Sequence, residues 1–137
     1  MGLLDDMLRR EAVRAAEEAQ RLAPSSPQPY ALLGQIHVAR NDFPKAQEMF
    51  AKALEVAPQF SQMHMALGQL YNLEGKPDAA LREYEAVLLA NPKHPAALLR
   101  KVATLLRDRK QDEAIAYLQQ VIARDSRNAQ ARTLLGG

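Results

Sequence analysis

The sequence predicts an all-α protein built from stacked helix pairs, and three observations support that fold class. The first is a repeat: Gly34 and Gly68 lie 34 residues apart within the similar segments Tyr30–His37 and His64–Tyr71. The second is the helical periodicity of apolar residues within each copy. The third is the placement of proline and glycine where the apolar stretches end. A period of this size is typical of a repeat array, in which neighbouring units share a continuous core.

The offset of 34 residues extends well beyond the two glycines, and a third, weaker copy follows at the same step. We therefore predict three repeats, at residues 27–60, 61–94 and 95–128, that form one domain with the rest of the chain. The matched positions are Ala46 and Ala80, Phe50 and Tyr84, Leu54 and Leu88, and Pro58 and Pro92, followed in the third copy by Leu98, Leu105, Ala114, Leu118 and Ile122.

Segment 1–26 is predicted to hold a helix, at about residues 4 to 22, and a proline-rich connector. Its alanines and Pro24 precede the matching residues of the first copy by 34 positions. The helix is therefore either a degenerate half repeat or a cap derived from one. We expect its apolar stripe to pack on the first full repeat. The stripe consists of Leu4, Leu8, Ala12, Ala15, Ala19 and Leu22.

Each repeat is predicted to contain two helices, and the end of the first one is marked in every copy. Gly75 ends this helix in the second copy, because glycine tolerates the left-handed backbone that commonly follows a helix. Asn41 holds the same place in the first copy and is the next-best residue for it. Arg109 holds it in the third copy, where a side chain makes that conformation less favourable.

Prolines mark both ends of the second helix in the first two copies. Pro44 and Pro77 suit its first turn, where the missing N–H has no helical partner. Pro58 and Pro92 end it, because proline disfavours helical backbone in the residue before it.

Residues 129–137 begin the pattern once more. Leu134-Leu135-Gly136 lies three repeats after Leu32-Leu33-Gly34. The short helix predicted here either caps the array or continues into a longer one. Solenoid ends normally need a polar cap, so the two leucines favour the longer array.

Composition and charge argue against several classes of function. The 18 basic and 16 acidic side chains are interspersed and give a net charge of +2, so we expect no nucleic-acid surface. The absence of cysteine excludes disulfides and thiolate sites. No apolar run is long enough to cross a bilayer, and the N-terminus matches neither a secretory signal nor a myristoylation signal, so we expect no direct membrane insertion. Localisation stays open between cytoplasm and periplasm; the alanine-rich composition suggests a bacterial source.

The sequence also lacks any pattern that indicates catalysis, a metal site or a cofactor. His37, His64 and His94 occupy three different repeat positions, without the spacing that metal ligands need. We interpret His37 as a packing residue at the place where the second copy has Tyr71. No phosphate-binding loop, nucleophile elbow or zinc pattern occurs. We therefore predict that the protein is not an enzyme and uses no cofactor.

The repeated residues resemble the tetratricopeptide repeat family over residues 12–137. That pattern requires Leu-Gly, then Tyr, Ala, an aromatic residue, Ala and Pro at fixed places; the glycine lets the paired helices approach, and the aromatic ring fills the remaining gap. The third copy departs from it at Lys101-Val102 and Ser126, and we expect the Lys101 amine to extend to the surface. The matching residues are Tyr30, Leu33, Gly34, Ala46, Phe50, Ala53 and Pro58 in the first copy and His64, Leu67, Gly68, Tyr71, Ala80, Tyr84, Val87 and Pro92 in the second.

The resemblance implies a right-handed superhelical solenoid whose first helices line a concave groove, which binds a peptide segment or helix of a partner protein. Chaperone-binding members clamp a terminal carboxylate with Lys and Asn side chains. Here Ala31, Gln35 and Ala96 replace three of those residues and only Arg100 matches, which argues against such a clamp. The groove positions implied by the family are Gln28, Ala31, Gln35, Val38, Gln62, Met65, Gln69, Asn72, Leu99, Arg100, Ala103, Leu106 and Arg107.

Two questions stay open at the level of sequence. Arg100 and Arg107 either bind acidic groups of a ligand or pair locally with Asp108 or Asp112. The array either binds a partner, serves as an accessory interaction module of a larger bacterial assembly, or associates with itself through apolar residues near its ends. Those end residues are Leu3, Leu4, Met7, Leu134 and Leu135.

Overall fold

The computed structural model describes residues 2–136, and within that range the protein is all-helical, as predicted. Positions 1 and 137, at the outer ends of the first and last predicted segments, lie outside the described residues. The helices of the described range are α1 (Leu3–Leu22), α2 (Gln28–Ala39), α3 (Phe43–Val56), α4 (Ser61–Leu73), α5 (Pro77–Ala90), α6 (Pro95–Arg107), α7 (Gln111–Arg124) and α8 (Ala129–Leu135).

The described residues form two compact units, which divide between Leu70 and Tyr71 inside α4. In the first unit, α2 packs against both α1 and α3. In the second unit, α6 packs against α5 and α7, and α7 packs against α8. Short connections between successive helices favour such packing of sequence neighbours.

The core of the first unit depends on a small residue facing a large one. Phe50 is 1% exposed, and Ala46 and Ala53 beside it on α3 are fully buried. A Cβ atom added to Gly34 would lie 2.3 Å from Cε1 of Phe50, far inside van der Waals contact. Glycine at position 34 therefore lets α2 approach the phenyl ring, as the repeat pattern predicts.

The three predicted helix stops all adopt left-handed backbone. The φ angles are 60° at Asn41, 73° at Gly75 and 59° at Arg109. In each case the N–H of the next residue donates to a carbonyl five residues earlier, the hydrogen bond that closes a Schellman motif. The three bonds are Asp42 to His37 at 2.9 Å, Lys76 to Tyr71 at 2.8 Å and Lys110 to Leu105 at 2.8 Å.

Arg109→Gly is expected to raise the free energy of unfolding by about 1 kcal/mol, because glycine removes the steric cost of a Cβ atom in left-handed backbone. Urea denaturation followed by far-ultraviolet circular dichroism measures the change. Asn41→Gly is the matched control and should gain less, since asparagine tolerates this conformation better. Equal gains at both positions would contradict the explanation.

The prediction that the α1 stripe packs on the first repeat is wrong for most of its residues. Leu4 and Leu8 are 67% and 60% exposed, and Ala15, Ala19 and Leu22 are exposed as well. The residue of α1 that is buried is Ala16, whereas Ala12 is half-buried. Only a narrow strip of α1 therefore faces the rest of the first unit, and its leucines stay in contact with solvent.

Candidate functional site

One candidate binding surface of the second unit is an exposed face of α6. Leu99 and Leu106 are 46% and 51% exposed, and Arg100, Ala103 and Arg107 are exposed too. Their spacing places all five on one side of the helix. The opposite side provides the core contacts of α6. Its buried residues are Ala97, Leu98, Val102, Thr104 and Leu105.

The two arginines of this face make no ion pair among the described residues. The local alternative required Asp108 or Asp112 as the partner. Asp108 instead lies 3.4 Å from the Lys110 amine, and Asp112 has no basic side chain of residues 2–136 within ion-pair distance. Both guanidinium groups therefore keep their donors available for an anionic group of a ligand.

A polar link inside the second unit, made of two hydrogen bonds, connects Asn72 to α5 and α6. Asn72 Nδ2 donates to Thr104 Oγ1 at 2.9 Å and to Tyr84 Oη at 3.4 Å. Thr104 and Tyr84 are both buried. Burial raises the pKa of the Tyr84 hydroxyl, while the charges of Arg100 and Arg107 and the Asn72 hydrogen bond partly oppose that rise. Asn72, predicted as a groove residue, thus uses its amide hydrogens within the protein and leaves its carbonyl oxygen for other contacts.

In the first unit, the predicted groove positions differ in their exposure. Gln28 and Gln35 of α2 are exposed, as are Gln62 and Gln69 of α4. Val38 and Met65 are half-buried. Ala31 departs from the prediction, because its short side chain is only 5% exposed and offers almost no surface to a ligand.

We expected the Lys101 amine to extend to the surface, but it packs against other side chains instead. Its amine lies 3.9 Å from the centre of the Tyr117 ring and 3.6 Å from Glu85 Oε1, and its side chain is 18% exposed. A cation over an aromatic face is attracted to the ring's electrons, and this attraction grows when water is excluded. The Tyr117 ring therefore stabilises the Lys101 charge beside the core and takes the place of part of its hydration.

The described residues contain no cluster of acidic or histidine side chains suited to a metal ion. Two histidines instead support helix starts or loops: His94 Nδ1 accepts from the Ala97 N–H at 3.1 Å, and His64 Nε2 lies 2.8 Å from the Pro58 carbonyl oxygen. His37 is half-buried, and its Nδ1 atom has no hydrogen-bond partner. Within residues 2–136, none of the helices combines the length and hydropathy required of a transmembrane span.

Sequence reasoning missed two contacts of the second unit, Asn72 with Thr104 and Lys101 with Tyr117. Both involve residues that differ from those at the same position of the other copies. Thr104 stands where the other copies have Ile36 and Leu70, and a threonine at a core position indicates a hidden hydrogen bond. Tyr117 stands where the other copies have Met49 and Glu83. Tyr117 is an aromatic residue directly before the usual aromatic position, and Lys101 is a lysine at a leucine position. These two departures together could have indicated the contact between Lys101 and Tyr117.

Two family models described as tetratricopeptide repeat match the chain, over residues 31–95 and 72–136. The two matches overlap and together extend from α2 to the end of α8. The protein belongs to the tetratricopeptide repeat family. Members of this family generally act as non-enzymatic interaction scaffolds, and the fold therefore supports a protein-interaction module.

Many solved structures are similar to this chain in fold. MamA superposes with a TM-score of 0.75 at 20% identity, over 93% of this chain and 69% of that one. YrrB gives a TM-score of 0.69 at 22% identity, over 98% of this chain and 69% of that one. A tetratricopeptide repeat protein from Parabacteroides merdae gives 0.73 at 22% identity, over 95% of this chain and 52% of that one. Among curated protein sequences, none matches this chain significantly.

Proposed function

We propose that this protein binds a peptide segment or helix of a partner protein, and that the exposed face of α6 is part of the binding surface. The observation that supports this most directly is the pair of arginines, Arg100 and Arg107, which lie beside exposed leucines and have no acidic partner among the described residues. An exposed surface that combines apolar groups with uncommitted cations suits a ligand with both apolar and acidic side chains.

The spacing of the face defines the ligand further. Leu99 and Leu106 are seven residues apart, as are Arg100 and Arg107, so each pair spans two turns, about 10 Å. A partner helix with apolar and acidic residues repeated every seven positions has the same spacing. An extended segment reaches this distance in about three residues. Either form can contact a leucine and an arginine at each end of the face.

The exposed amides of the first unit form a second candidate surface. Gln28, Gln35, Gln62 and Gln69 can each donate to and accept from the backbone of an extended peptide. Met65, with its flexible thioether, can adapt to apolar side chains of different shape. We propose these five residues as peptide contacts of the first unit.

One of the solved structures with the same fold supports the class of ligand. YrrB is described as a TPR protein with an unusual peptide-binding site. At 22% identity the similarity concerns the fold, so peptide binding by the present protein rests on its own exposed side chains.

A displayed library of random peptides, selected on the wild-type protein, tests the proposal. We expect the selected peptides to be rich in acidic and apolar residues and to bind with micromolar affinity, about −8 kcal/mol, in fluorescence anisotropy. Leu99→Glu combined with Arg100→Glu should weaken their binding at least tenfold, because it replaces one apolar and one cationic contact with negative charges.

The matched control combines Ile115→Glu on α7 with Arg82→Glu on α5. It changes the net charge by the same amount, at two exposed residues outside the proposed face. We expect this control to bind the selected peptides within twofold of wild type. Equal binding by the α6 variant, with circular dichroism showing that it is folded, would refute the α6 face as the peptide site.

Self-association is a second candidate function, and the exposed leucines of α1 favour it. Leu3, Leu4, Met7 and Leu8 are all more than half exposed. A contiguous apolar patch of this kind commonly marks an interface. Light scattering over a range of concentrations tests this alternative: a mass that stays monomeric at every concentration counts against it, and Leu4→Gln with Leu8→Gln should abolish any larger species.

A further inference from the structure

A cavity of about 350 Å³ lies in the second unit, away from the exposed face of α6. Its walls come from α5, α6 and α7 and include Leu88, Leu89, Lys101, Tyr117, Val121 and Arg124. Helical geometry places Lys101 nearly opposite Ala103, the centre of the exposed face. The cavity is therefore separate from the surface proposed to bind peptides, and its volume lies at the lower end of the range for small-molecule sites.

The cavity coincides with two departures of the third repeat from the other copies. Leu33 and Leu67 are buried where the third repeat has Lys101. Tyr117 replaces the Met49 and Glu83 of the other copies and places its ring under the Lys101 amine at 3.9 Å. The two substitutions thus act together, and they place a partly buried cation and an aromatic wall in the same cavity.

The charges around the cavity do not cancel locally. Glu85 is 3.6 Å from Lys101, and Asp125 is 3.9 Å from Lys93 and accepts the Arg127 N–H at 3.3 Å, so both carboxylates are already engaged. The Arg124 side chain, which is part of the cavity lining, makes no hydrogen bond or ion pair with any described residue. Its guanidinium is thus the uncommitted charge of the site, and it is positive.

Arg124 and Tyr117 both line the cavity. Burial raises the pKa of Tyr117, the positive charge of Arg124 opposes the rise, and the negative charge of Glu85 adds to it. The Lys101 amine lies above the face of the ring, and Arg124 belongs to the same cavity lining. A ligand anion in this cavity would be attracted chiefly by Arg124, because Lys101 is already paired with Glu85.

The other walls are apolar. Leu89 is 86% exposed, unusually so for a leucine, and stands with Leu88, Val121 and Pro92 around the cavity. Aliphatic walls of this kind bind an alkyl group by removing its surface from water. An elongated apolar ligand with an anionic end therefore matches both parts of the cavity.

We propose that this cavity binds a small-molecule carboxylate with an apolar body, the chemistry of a medium-chain fatty acid. The alkyl body contacts Leu88, Leu89 and Val121, and the carboxylate pairs with Arg124 through charge-assisted hydrogen bonds. Lys101 stays paired with Glu85 and over the Tyr117 ring, so the ligand carboxylate depends on Arg124. This site does not depend on the peptide-binding function proposed for α6.

Isothermal titration calorimetry of the full chain with octanoate, octylammonium and octanol tests the proposal. These probes share the alkyl chain and differ in charge. We expect octanoate to bind at least tenfold more tightly than octylammonium, with octanol between them. Arg124→Gln should weaken octanoate binding at least tenfold and leave octanol binding within twofold. Arg82→Gln removes an exposed arginine of α5 outside the cavity and should leave both affinities unchanged.

A second variant and a second readout locate the site. Leu89→Gln is expected to weaken octanoate and octanol to a similar extent, because both lose the same apolar contact; its high exposure means that the fold should tolerate the change. Octanoate should shift the backbone NMR signals of Tyr117 and Val121 more than those of Leu99 and Ala103.

Three results would overturn the proposal. Octanoate and octylammonium binding equally well would show that charge is not recognised. An unchanged octanoate affinity in Arg124→Gln would remove the anion partner. Tighter binding of an acetylated tripeptide with a C-terminal leucine than of octanoate would indicate a peptide end as the natural occupant.

Discussion

Gly34→Val is expected to lower the free energy of unfolding by about 3 kcal/mol, the upper part of the usual range for overpacking a core. The new Cβ atom would lie 2.3 Å and 2.5 Å from two ring carbons of Phe50. Phe50 is almost completely buried, so its ring has no open space to enter. Either α2 must move away from α3 or the ring must leave its position. Urea denaturation followed by circular dichroism measures the loss.

The third repeat suggests the compensating change. It has Val102 and Leu118 where the first repeat has Gly34 and Phe50, and both are buried. Volume added on the first helix is thus matched by volume removed from the second. Adding Phe50→Leu to Gly34→Val should therefore recover at least about 1 kcal/mol relative to the sum of the two single losses, as expected for residues in contact. Simple additivity of the two losses would contradict the proposed contact.

Much of the fold could be predicted because the repeat gives three versions of each position. A single glycine at position 75 would have been a weak indication of a helix end. Asn41 and Arg109 at the same step strengthened it, and all three adopt left-handed backbone. Three different residues at one repeat position show that the fold, and not a single glycine, requires left-handed backbone there. This is why these helix ends were predicted correctly.

The α1 helix shows where this reasoning fails. Its leucines recur at helical spacing, and that pattern predicts an apolar face. The pattern does not say whether another element covers the face. In the structure Ala16 is buried while Leu4 and Leu8 remain exposed. Burial depends on a packing partner, and no property of the α1 sequence itself specifies one.

The candidate sites likewise combine features that the sequence predicts with features that depend on tertiary packing. The family resemblance implied Leu99, Arg100 and Arg107 as groove positions, helical spacing placed the two arginines on one face, and all three residues are exposed. Spacing could not decide how the arginines pair, because that depends on side-chain conformations such as that of Asp108, which lies near Lys110 instead. The departure at Lys101 was visible, but its contact with a residue sixteen positions later required the packing of α6 against α7.

Tyr84→Ala is expected to lower the free energy of unfolding by about 4 kcal/mol, within the range for removing a large aromatic side chain from a core. Tyr84 is one of the largest fully buried side chains among the described residues, and truncation leaves a cavity that the helix backbones cannot close. Urea denaturation gives the loss, and hydrogen exchange of α5 and α6 amides should show reduced protection in the second unit.

Tyr84→Phe separates the ring from its hydroxyl. The hydroxyl accepts only the longer of the two Asn72 hydrogen bonds, at 3.4 Å, and Asn72 keeps its 2.9 Å bond to Thr104 when the hydroxyl is removed. Phe50 occupies the same repeat position in the first unit, so a phenyl ring suits this place. We therefore expect Tyr84→Phe to cost less than about 1 kcal/mol. A loss as large as that of Tyr84→Ala would mean that the polar link to Asn72, rather than the volume of the ring, stabilises this part of the second unit.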